Sequence, residues 1–425
     1  MIATVHPSTI RGSIRVPASK SAMQRALAAA LIRKGRTVLY NPGHAADDLA
    51  ALACIRSLGA TVDVFPDRFE ILSHGVCPTG DVLDCGESGL SIRMFTSLAA
   101  LSDQPIRIVG KGSLLTRPMR FFEEVLPLLL VRIQLNDGRL PITLQGPMIP
   151  RNITVDGSLS SQFLTGLLMA YAAAGASGVT IEVNELKSRP YIDLTLDILK
   201  RFGLPVPEND GYQRFHFRQG EVLSSSQEIQ YTVEGDWSGA SFWFAAGSDA
   251  GMIELIGLDA TSTQADRAIS RVVSHQRNKT TANNDLYLIR DGRSGAFEFD
   301  ATDCPDLFPP LVALAAHIKG ESVIYGTDRL RHKESDRAIV LQREFGKLGL
   351  PIELDGNAMR VVGGAGLQGG VVHATGDHRI AMSLAIAALR ANGPVVIEDA
   401  ESVRKSYPDF WDDLRSVGAS VSLSD

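Results

Sequence analysis

The sequence predicts an α/β architecture assembled from repeated units of about 70 residues. One observation is a recurring joint, in which a helical stretch ends in an apolar residue and glycine and passes into an alternating strand. It appears at Leu58-Gly59-Ala60-Thr61-Val62, Phe202-Gly203-Leu204-Pro205-Val206, Leu348-Gly349-Leu350-Pro351-Ile352 and Val417-Gly418-Ala419-Ser420-Val421. Each glycine suits the left-handed position that closes a helix. A second observation is the spacing, about twice 72 residues between the first three joints and about one such interval to the last, which implies six units. Two joints lack their glycine, near Val131 and near His275. The third is the interleaving of strands at 37–40 and 179–183 with helices at 47–58, 162–174, 238–246 and 311–318. No G-x-G-x-x-G follows a first strand and no G-x-x-x-x-G-K-[ST] occurs, which argues against nucleotide-binding folds.

Length and composition bound the function. With 425 residues and 44% hydrophobic content the chain can bury more than one core. No apolar run reaches the roughly 20 residues of a membrane span, and no leader-like segment opens the sequence, so a cytoplasmic location is expected. Cys54, Cys77, Cys85 and Cys304 show no C-x-x-C pairing, which disfavours a disulfide framework or a zinc site. A net charge of −6 argues against general nucleic-acid binding but leaves room for local basic clusters. A domain joint is expected at residues 232–236, after the polar connection 221–228, with another at the opening stretch.

That opening stretch, Val16-Pro17-Ala18-Ser19-Lys20-Ser21-Ala22-Met23-Gln24-Arg25, reads as a strand end, a turn and a helix start. It is either an ordinary N-cap or an anion site made from helix N–H groups, Lys20, Ser21 and Arg25. The pattern recurs. Asp84-Cys85-Gly86-Glu87-Ser88-Gly89-Leu90-Ser91-Ile92-Arg93 is a glycine-punctuated turn into a helix, and Arg117 precedes Pro118, which suits a helix's first turn. Asp156-Gly157-Ser158-Leu159-Ser160-Ser161-Gln162 and Ser188-Arg189-Pro190-Tyr191 open further helices. Arg329-Leu330-Arg331-His332-Lys333-Glu334-Ser335-Asp336-Arg337 mixes cations with carboxylates, and Lys333 and Arg337 share a helical face if a helix begins there. Asp377-His378-Arg379 and Arg404-Lys405-Ser406-Tyr407-Pro408 repeat the theme, and Asp306 heads an apolar helix as a cap or as a base facing a cleft. An acidic chain that repeatedly sets cations at helix N-termini is most simply a binder of small multi-anionic ligands.

These motifs, in this order, resemble the 5-enolpyruvylshikimate-3-phosphate synthases, transferases that join shikimate 3-phosphate to phosphoenolpyruvate in the route to chorismate and the aromatic amino acids. The match runs through Ser19-Lys20-Ser21 with Arg25, Gly86 to Arg93, Arg117-Pro118, Asp156 to Thr165, Arg189 to Asp193, Glu234-Gly235-Asp236, Pro305-Asp306, Lys333 to Arg337, Asp377-His378-Arg379 and Lys405 before Pro408-Asp409. The resemblance implies the two-domain enolpyruvyl transferase fold, α/β (α+β), each domain three βαβαββ units with helices inside and sheets outside. Residues 17–234 would form one domain and 1–16 with 235–425 the other, with the active site in the cleft between them. It implies that Lys20, Ser21, Arg25, Ser160, Ser161, Gln162, Ser188, Asp306 and Lys333 hold shikimate 3-phosphate. It assigns Lys20, Gly89, Arg117, Gln162, Arg337, Arg379 and Lys405 to phosphoenolpyruvate. No metal or organic cofactor, nucleic acid or membrane is expected as a partner, and a monomer is expected.

The reaction requires an acid and a base, because a sugar-like hydroxyl is a weak nucleophile and the vinyl carbon turns electrophilic only as its methylene is protonated. Asp306 is expected to take the hydroxyl proton and Glu334 to protonate the methylene, with Lys20 supporting either transfer. Arginines must hold two anionic substrates together. Four positions depart from the commonest family pattern: Ala18, Glu87, Met94 and Arg329. Glu87 is expected to pair with a cation or point away from the anion site. The related UDP-N-acetylglucosamine enolpyruvyl transferases fit less well, since they carry Lys-Asn in place of Lys20-Ser21 and a cysteine-bearing loop near residues 105–120. A non-catalytic binding protein is disfavoured by the presence of both Asp306 and Glu334, and a scaffold by the density of site residues.

Overall fold

The computed structural model describes the chain except residues 220–226, 276–280, 284–285, 291–294 and 332, and the side chains of 274–275 and 281–283. Most of the polar connection at 221–228, the continuation of the joint at His275, and His332 therefore lie outside the described residues. The chain divides into two compact units, Ala18–Val233 and Met1–Pro17 with Glu234–Asp425.

The Ala18–Val233 unit carries helices α1 (Lys20–Arg33), α2 (Ala46–Ser57), α3 (Gly89–Ala99), α4 (Arg120–Val125), α5 (Ser161–Ala173) and α6 (Pro190–Arg201). The other carries α7 (Trp237–Ala250), α8 (Ile269–His275), α9 (Phe308–His317), α10 (Arg337–Lys347), α11 (His378–Ala388) and α12 (Phe410–Ser416). The repeat is plain in the run Val82–Asp84, α3, Ile106–Val109, α4, Arg132–Asn136, Arg139–Gln145, a βαβαββ unit. Its sheet pairs the first two strands in parallel and the rest antiparallel. Six four-stranded sheets, three in each unit, follow this scheme among the described residues.

Two sheets draw their first strand from a distant part of the chain. Ile229–Thr232 lies parallel to Gly35–Tyr40, although α7 follows it in sequence. Ile10–Arg15 lies parallel to Gly251–Ile256, although α1 follows it. The chain leaves each unit directly after such a strand, at Pro17 and Val233.

Burial explains the layering. Every described residue of α3, α7, α9 and α11 is buried, as is α1 from Ala22 onward and nearly all of α5. A helix that is apolar or buried all round belongs inside a core. By contrast, α6 and α10 bury one stripe each, and the strands alternate buried with exposed residues, as in Ile153–Asp156. Gly59, Gly203, Gly349 and Gly418 all take positive φ at the helix ends. At the joint near Val131 the left-handed position is filled by Leu130, at φ 64°, which is why no glycine marks it.

Candidate functional site

In the Ala18–Val233 unit, Ser19 caps α1, its Oγ accepting from the Ala22 N–H at 3.3 Å. Lys20 begins the helix and donates to Asp47 at 2.9 Å. Arg25, one turn on, is buried, and its hydrogen bonds go to neutral acceptors: Thr195 Oγ1 at 2.9 Å, the Ser21 carbonyl at 2.8 Å, and Thr165 Oγ1 and the Tyr191 carbonyl at 3.4 Å each. This ties α1 to α5 and to the start of α6. Burial pulls the Arg25 pKa down to about 10, against a smaller opposing effect of Tyr191, so the group stays charged near neutrality. A buried cation answered only by dipoles among the described residues is suited to receive an anion.

The start of α3 sits beside this cluster. Ser88 caps it, accepting from the Ser91 N–H at 3.2 Å, and the first helical residue, Gly89, lies against Arg117. A Cβ at Gly89 would stand 2.5 Å from Arg117 Nη1, so a side chain there would push the guanidinium from its present place. Arg93 projects from α3 and donates to Gln162 Oε1 of α5 at 2.7 Å. That reach depends on a close helix crossing, since a Cβ at Gly166 would lie 2.7 Å from the Arg93 carbonyl oxygen. Ser160 caps α5 through the Gln162 N–H at 3.3 Å, and Ser188, at φ 56°, ends a loop packed on Gly157. Thus Lys20, Ser21, Arg25, Gly89, Arg117, Ser160, Ser161, Gln162 and Ser188 all lie at the entries of α1, α3, α5 and α6 or in the loops beside them.

The second cluster is built around Arg337, whose side chain is 0% exposed. Its Nη1 donates to Asp306 at 2.8 Å, its Nε to Asp377 at 2.9 Å, and its Nη2 to Glu334 and Asp377. Asp306 also accepts from Lys333 at 3.2 Å and from Arg379 at 2.9 Å. Asp377 caps α11 through the Arg379 N–H at 3.0 Å and accepts from Ser335 Oγ at 2.9 Å. Lys405 closes the short 3-10 helix Ala400–Lys405, half-buried, while Tyr407 beyond it is held by Trp243 and Asp413.

The electrostatics follow from these contacts. Burial alone would raise the Asp306 pKa, but Arg379, Lys333 and Arg337 outweigh it and hold the carboxyl well below the usual range. Burial works against charge on Arg337, yet Asp377, Glu334 and Asp306 hold it more firmly protonated than an ordinary arginine. Lys333 is pushed down by burial, opposed by Asp306. Asp266, fully buried and hydrogen-bonded by Ser238 Oγ, is pushed up to about 6 by burial and by Asp306, against Arg379.

Several local expectations are corrected. Lys333 and Arg337 do not share a helical face, because α10 begins at Arg337 and Lys333 stands in the preceding turn; they converge on Asp306 instead. Asp306 is not a helix cap, since its carboxylate is taken by three cations. Pro118 precedes α4, which starts at Arg120 after Met119. The Glu87 carboxylate lies against Gly112, where a Cβ would meet Oε2 at 2.4 Å. Arg93, Asp47, Asp266 and Asp377 also belong to these contacts, though none is expected as a site residue from the sequence. Arg93 and Asp377 lay inside quoted motifs; nothing local marks Asp47 or Asp266.

A family model described as EPSP synthase (3-phosphoshikimate 1-carboxyvinyltransferase) matches residues 5–414. A protein of Clostridium perfringens named 3-phosphoshikimate 1-carboxyvinyltransferase is 34% identical over 418 residues, covering 97% of each chain. One of the same name from Methanopyrus kandleri is 36% identical over 423 residues, again covering 97% of each. Among solved structures, an EPSP synthase from Acinetobacter baumannii superposes with a TM-score of 0.81 at 24% identity, over 99% of this chain and 100% of that one. The enolpyruvyl transferase NikO from Streptomyces tendae gives 0.76 at 18% identity, over 99% of this chain and 98% of that one. Both structural likenesses speak to the fold alone.

Proposed function

We propose, because the chain belongs to the EPSP synthase family, that it transfers the enolpyruvyl group of phosphoenolpyruvate to the 5-hydroxyl of shikimate 3-phosphate, releasing phosphate. The observation that carries this reading is the family match over residues 5–414, joined to two clusters of buried cations at the positions that the family motifs single out. Both clusters contribute to one reaction, in the cytoplasm and in a monomer.

In this reading Lys20, Ser21, Arg25, Ser160, Ser161, Gln162 and Ser188 hold shikimate 3-phosphate, with Asp306 and Lys333. Gly89, Arg117, Arg337, Arg379 and Lys405 hold phosphoenolpyruvate, with Lys20 and Gln162. Arginine forks suit carboxylate and phosphate because both can be gripped at two points. Asp306 is the base that takes the hydroxyl proton, and Glu334 the acid that protonates the methylene. The low pKa of Asp306 makes it a weak base while three cations surround it. An anionic substrate that draws Arg337 and Arg379 to itself raises that pKa, so the carboxylate gains basicity when it is needed. Addition of the 5-oxygen to the vinyl carbon, with protonation of its methylene, gives a tetrahedral adduct, and loss of phosphate together with a proton from the new methyl group restores the double bond.

The test is incubation with both substrates, without added nucleotide. Inorganic phosphate and an enol ether at the 5-oxygen should form, and in heavy water the product's methylene should carry deuterium. Phosphate release that required UDP-N-acetylglucosamine, or that transferred phosphate to the acceptor, would overturn the reading.

A further inference from the structure

Gln24 lies one turn beyond Lys20 on α1, fully buried, and none of the roles above uses it. Its side-chain oxygen accepts from two hydroxyls at once, Ser88 Oγ at 3.0 Å and Ser91 Oγ at 3.1 Å. Those serines make the entry of α3: Ser88 caps the helix by accepting from the Ser91 N–H, and its carbonyl accepts from the Ile92 N–H at 3.1 Å. Between them stands Gly89, the residue against which Arg117 packs. One glutamine on α1 therefore fixes the hydroxyl orientations at the end of α3 that faces Arg117.

The other end of the same amide points to function. Gln24 Nε2 is buried without a hydrogen-bond acceptor among the described residues. An orphaned amide donor is unfavourable, and methionine, of similar length and volume, would fill the space without one. Stability explains the side-chain oxygen, which satisfies the buried hydroxyls of Ser88 and Ser91, but not the orphaned amide nitrogen. A neutral acceptor does have a reason: a carboxylate at this place would accept from both serines equally well but would put a negative charge at the N-terminus of α3, where an anion is to bind.

We infer that Gln24 is a positioning residue for phosphoenolpyruvate: it locks the α3 entry to the Lys20 end of α1 with an uncharged acceptor, so that Gly89 and Arg117 present one prearranged anion site. Binding an anion at a preset site avoids the cost of ordering its donors at each encounter. The inference rests on the proposed reaction, and the two can fail separately.

The experiment compares steady-state kinetics of the wild type, Gln24→Met and Gln24→Glu, with shikimate 3-phosphate and phosphoenolpyruvate varied in turn. Gln24→Met should raise KM for phosphoenolpyruvate about tenfold, the scale of one lost hydrogen-bond constraint, with kcat and KM for shikimate 3-phosphate unchanged. Gln24→Glu should raise KM for phosphoenolpyruvate further, and the excess should shrink as pH is lowered and the new carboxyl is neutralised. The charged groups placed at the α1 and α3 entries are Lys20 with its partner Asp47, and Arg93 and Arg117 beside Gly89, and the three cations keep their charge on acidification. Circular dichroism identifies any variant that fails to fold, and Gln24→Asn, which keeps an uncharged amide, then supplies the comparison. An unchanged KM for phosphoenolpyruvate in folded Gln24→Met would overturn the inference, as would an equal rise for both substrates. Absence of turnover in the wild type would instead overturn the proposed reaction.

Discussion

Replacing Arg337 by methionine probes the physics of the second cluster most directly. The guanidinium is inaccessible to solvent and meets Asp306 at 2.8 Å and Asp377 at 2.9 Å, with Glu334 as its third carboxylate. At an effective dielectric constant of about 20, a contact near 2.9 Å is worth about 6 kcal/mol before desolvation. Three such contacts can offset the several kcal/mol needed to bury each ion. Methionine keeps most of the volume but leaves three carboxylates facing one another, and breaking a buried ion cluster in this way costs about 3–5 kcal/mol. Trp237, Trp243 and Trp411 all belong to the same unit as Arg337, so tryptophan fluorescence in urea reports on the affected unit. The pH dependence gives a second check. In the wild type, the stabilisation from Asp306 is present above its unfolded pKa of 3.8 and is lost only as pH falls through its lower folded value. In the variant Asp306 keeps Lys333 and Arg379 but loses its third cation, so its folded pKa moves up toward 3.8 and the part of the deficit it carries is lost as pH falls through that range. A deficit under about 1 kcal/mol, or one that grows on acidification, would refute the reasoning.

Asp266→Asn should stabilise the protein at pH 7 by up to about 3 kcal/mol, because the native carboxyl is raised from 3.8 to about 6. The wild type then gains protons on folding between those values, so the advantage should vanish as pH falls toward 4; a melting-temperature difference independent of pH would count against it. Gly166→Ala should cost about 1–3 kcal/mol by forcing α3 and α5 apart at the Arg93 carbonyl, read as a lower thermal midpoint, and an unchanged midpoint would show that the crossing relaxes. Arg117→Ala should mainly raise KM for phosphoenolpyruvate, whereas Asp306→Asn should lower kcat by roughly two to four powers of ten if it is the base. Full turnover by Asp306→Asn removes that role.

What the sequence made legible is what local chemistry dictates. Gly59, Gly203, Gly349 and Gly418 could be recognised because a left-handed helix end favours glycine, and Leu130 hid its joint by taking the same conformation with a side chain. Helix entries were visible from serines, prolines and cations. Strand exchange was not: that Ile10–Arg15 joins Gly251–Ile256, and Ile229–Thr232 joins Gly35–Tyr40, depends on pairings between segments some 200 residues apart in sequence. The site divides in the same way. Lys20, Arg25, Arg117, Asp306 and Arg337 stood in conspicuous polar runs, whereas Asp47 sits in an ordinary helix start and matters only through Lys20. Asp266 and Gln24 owe their interest to neighbours distant in sequence, Ser238 and Ser88.

The two units treat the same structural element in opposite ways, and this suggests a division of labour. Their fully or mostly buried helices are α1, α3 and α5 in one and α7, α9 and α11 in the other. In the first unit all three are capped by serine, at Ser19, Ser88 and Ser160, so hydrogen bonds are met while the positive helix ends stay electrically uncompensated. In the second, Asp236 caps α7 and Asp377 caps α11, so these two helix ends meet a carboxylate, while Asp306, in the turn before α9, gives its carboxylate to three cations. Arg337 and Arg379 there are already paired, while Arg25 in the first unit has dipoles only among the described residues. The serine-capped unit is thus biased toward holding anions, and the aspartate-capped unit carries the carboxylates that a proton-transfer step requires. On the proposed reaction, the serine-capped helix ends of one unit keep their positive dipoles for anions, while the other unit supplies paired arginines together with the carboxylates of the proton transfer.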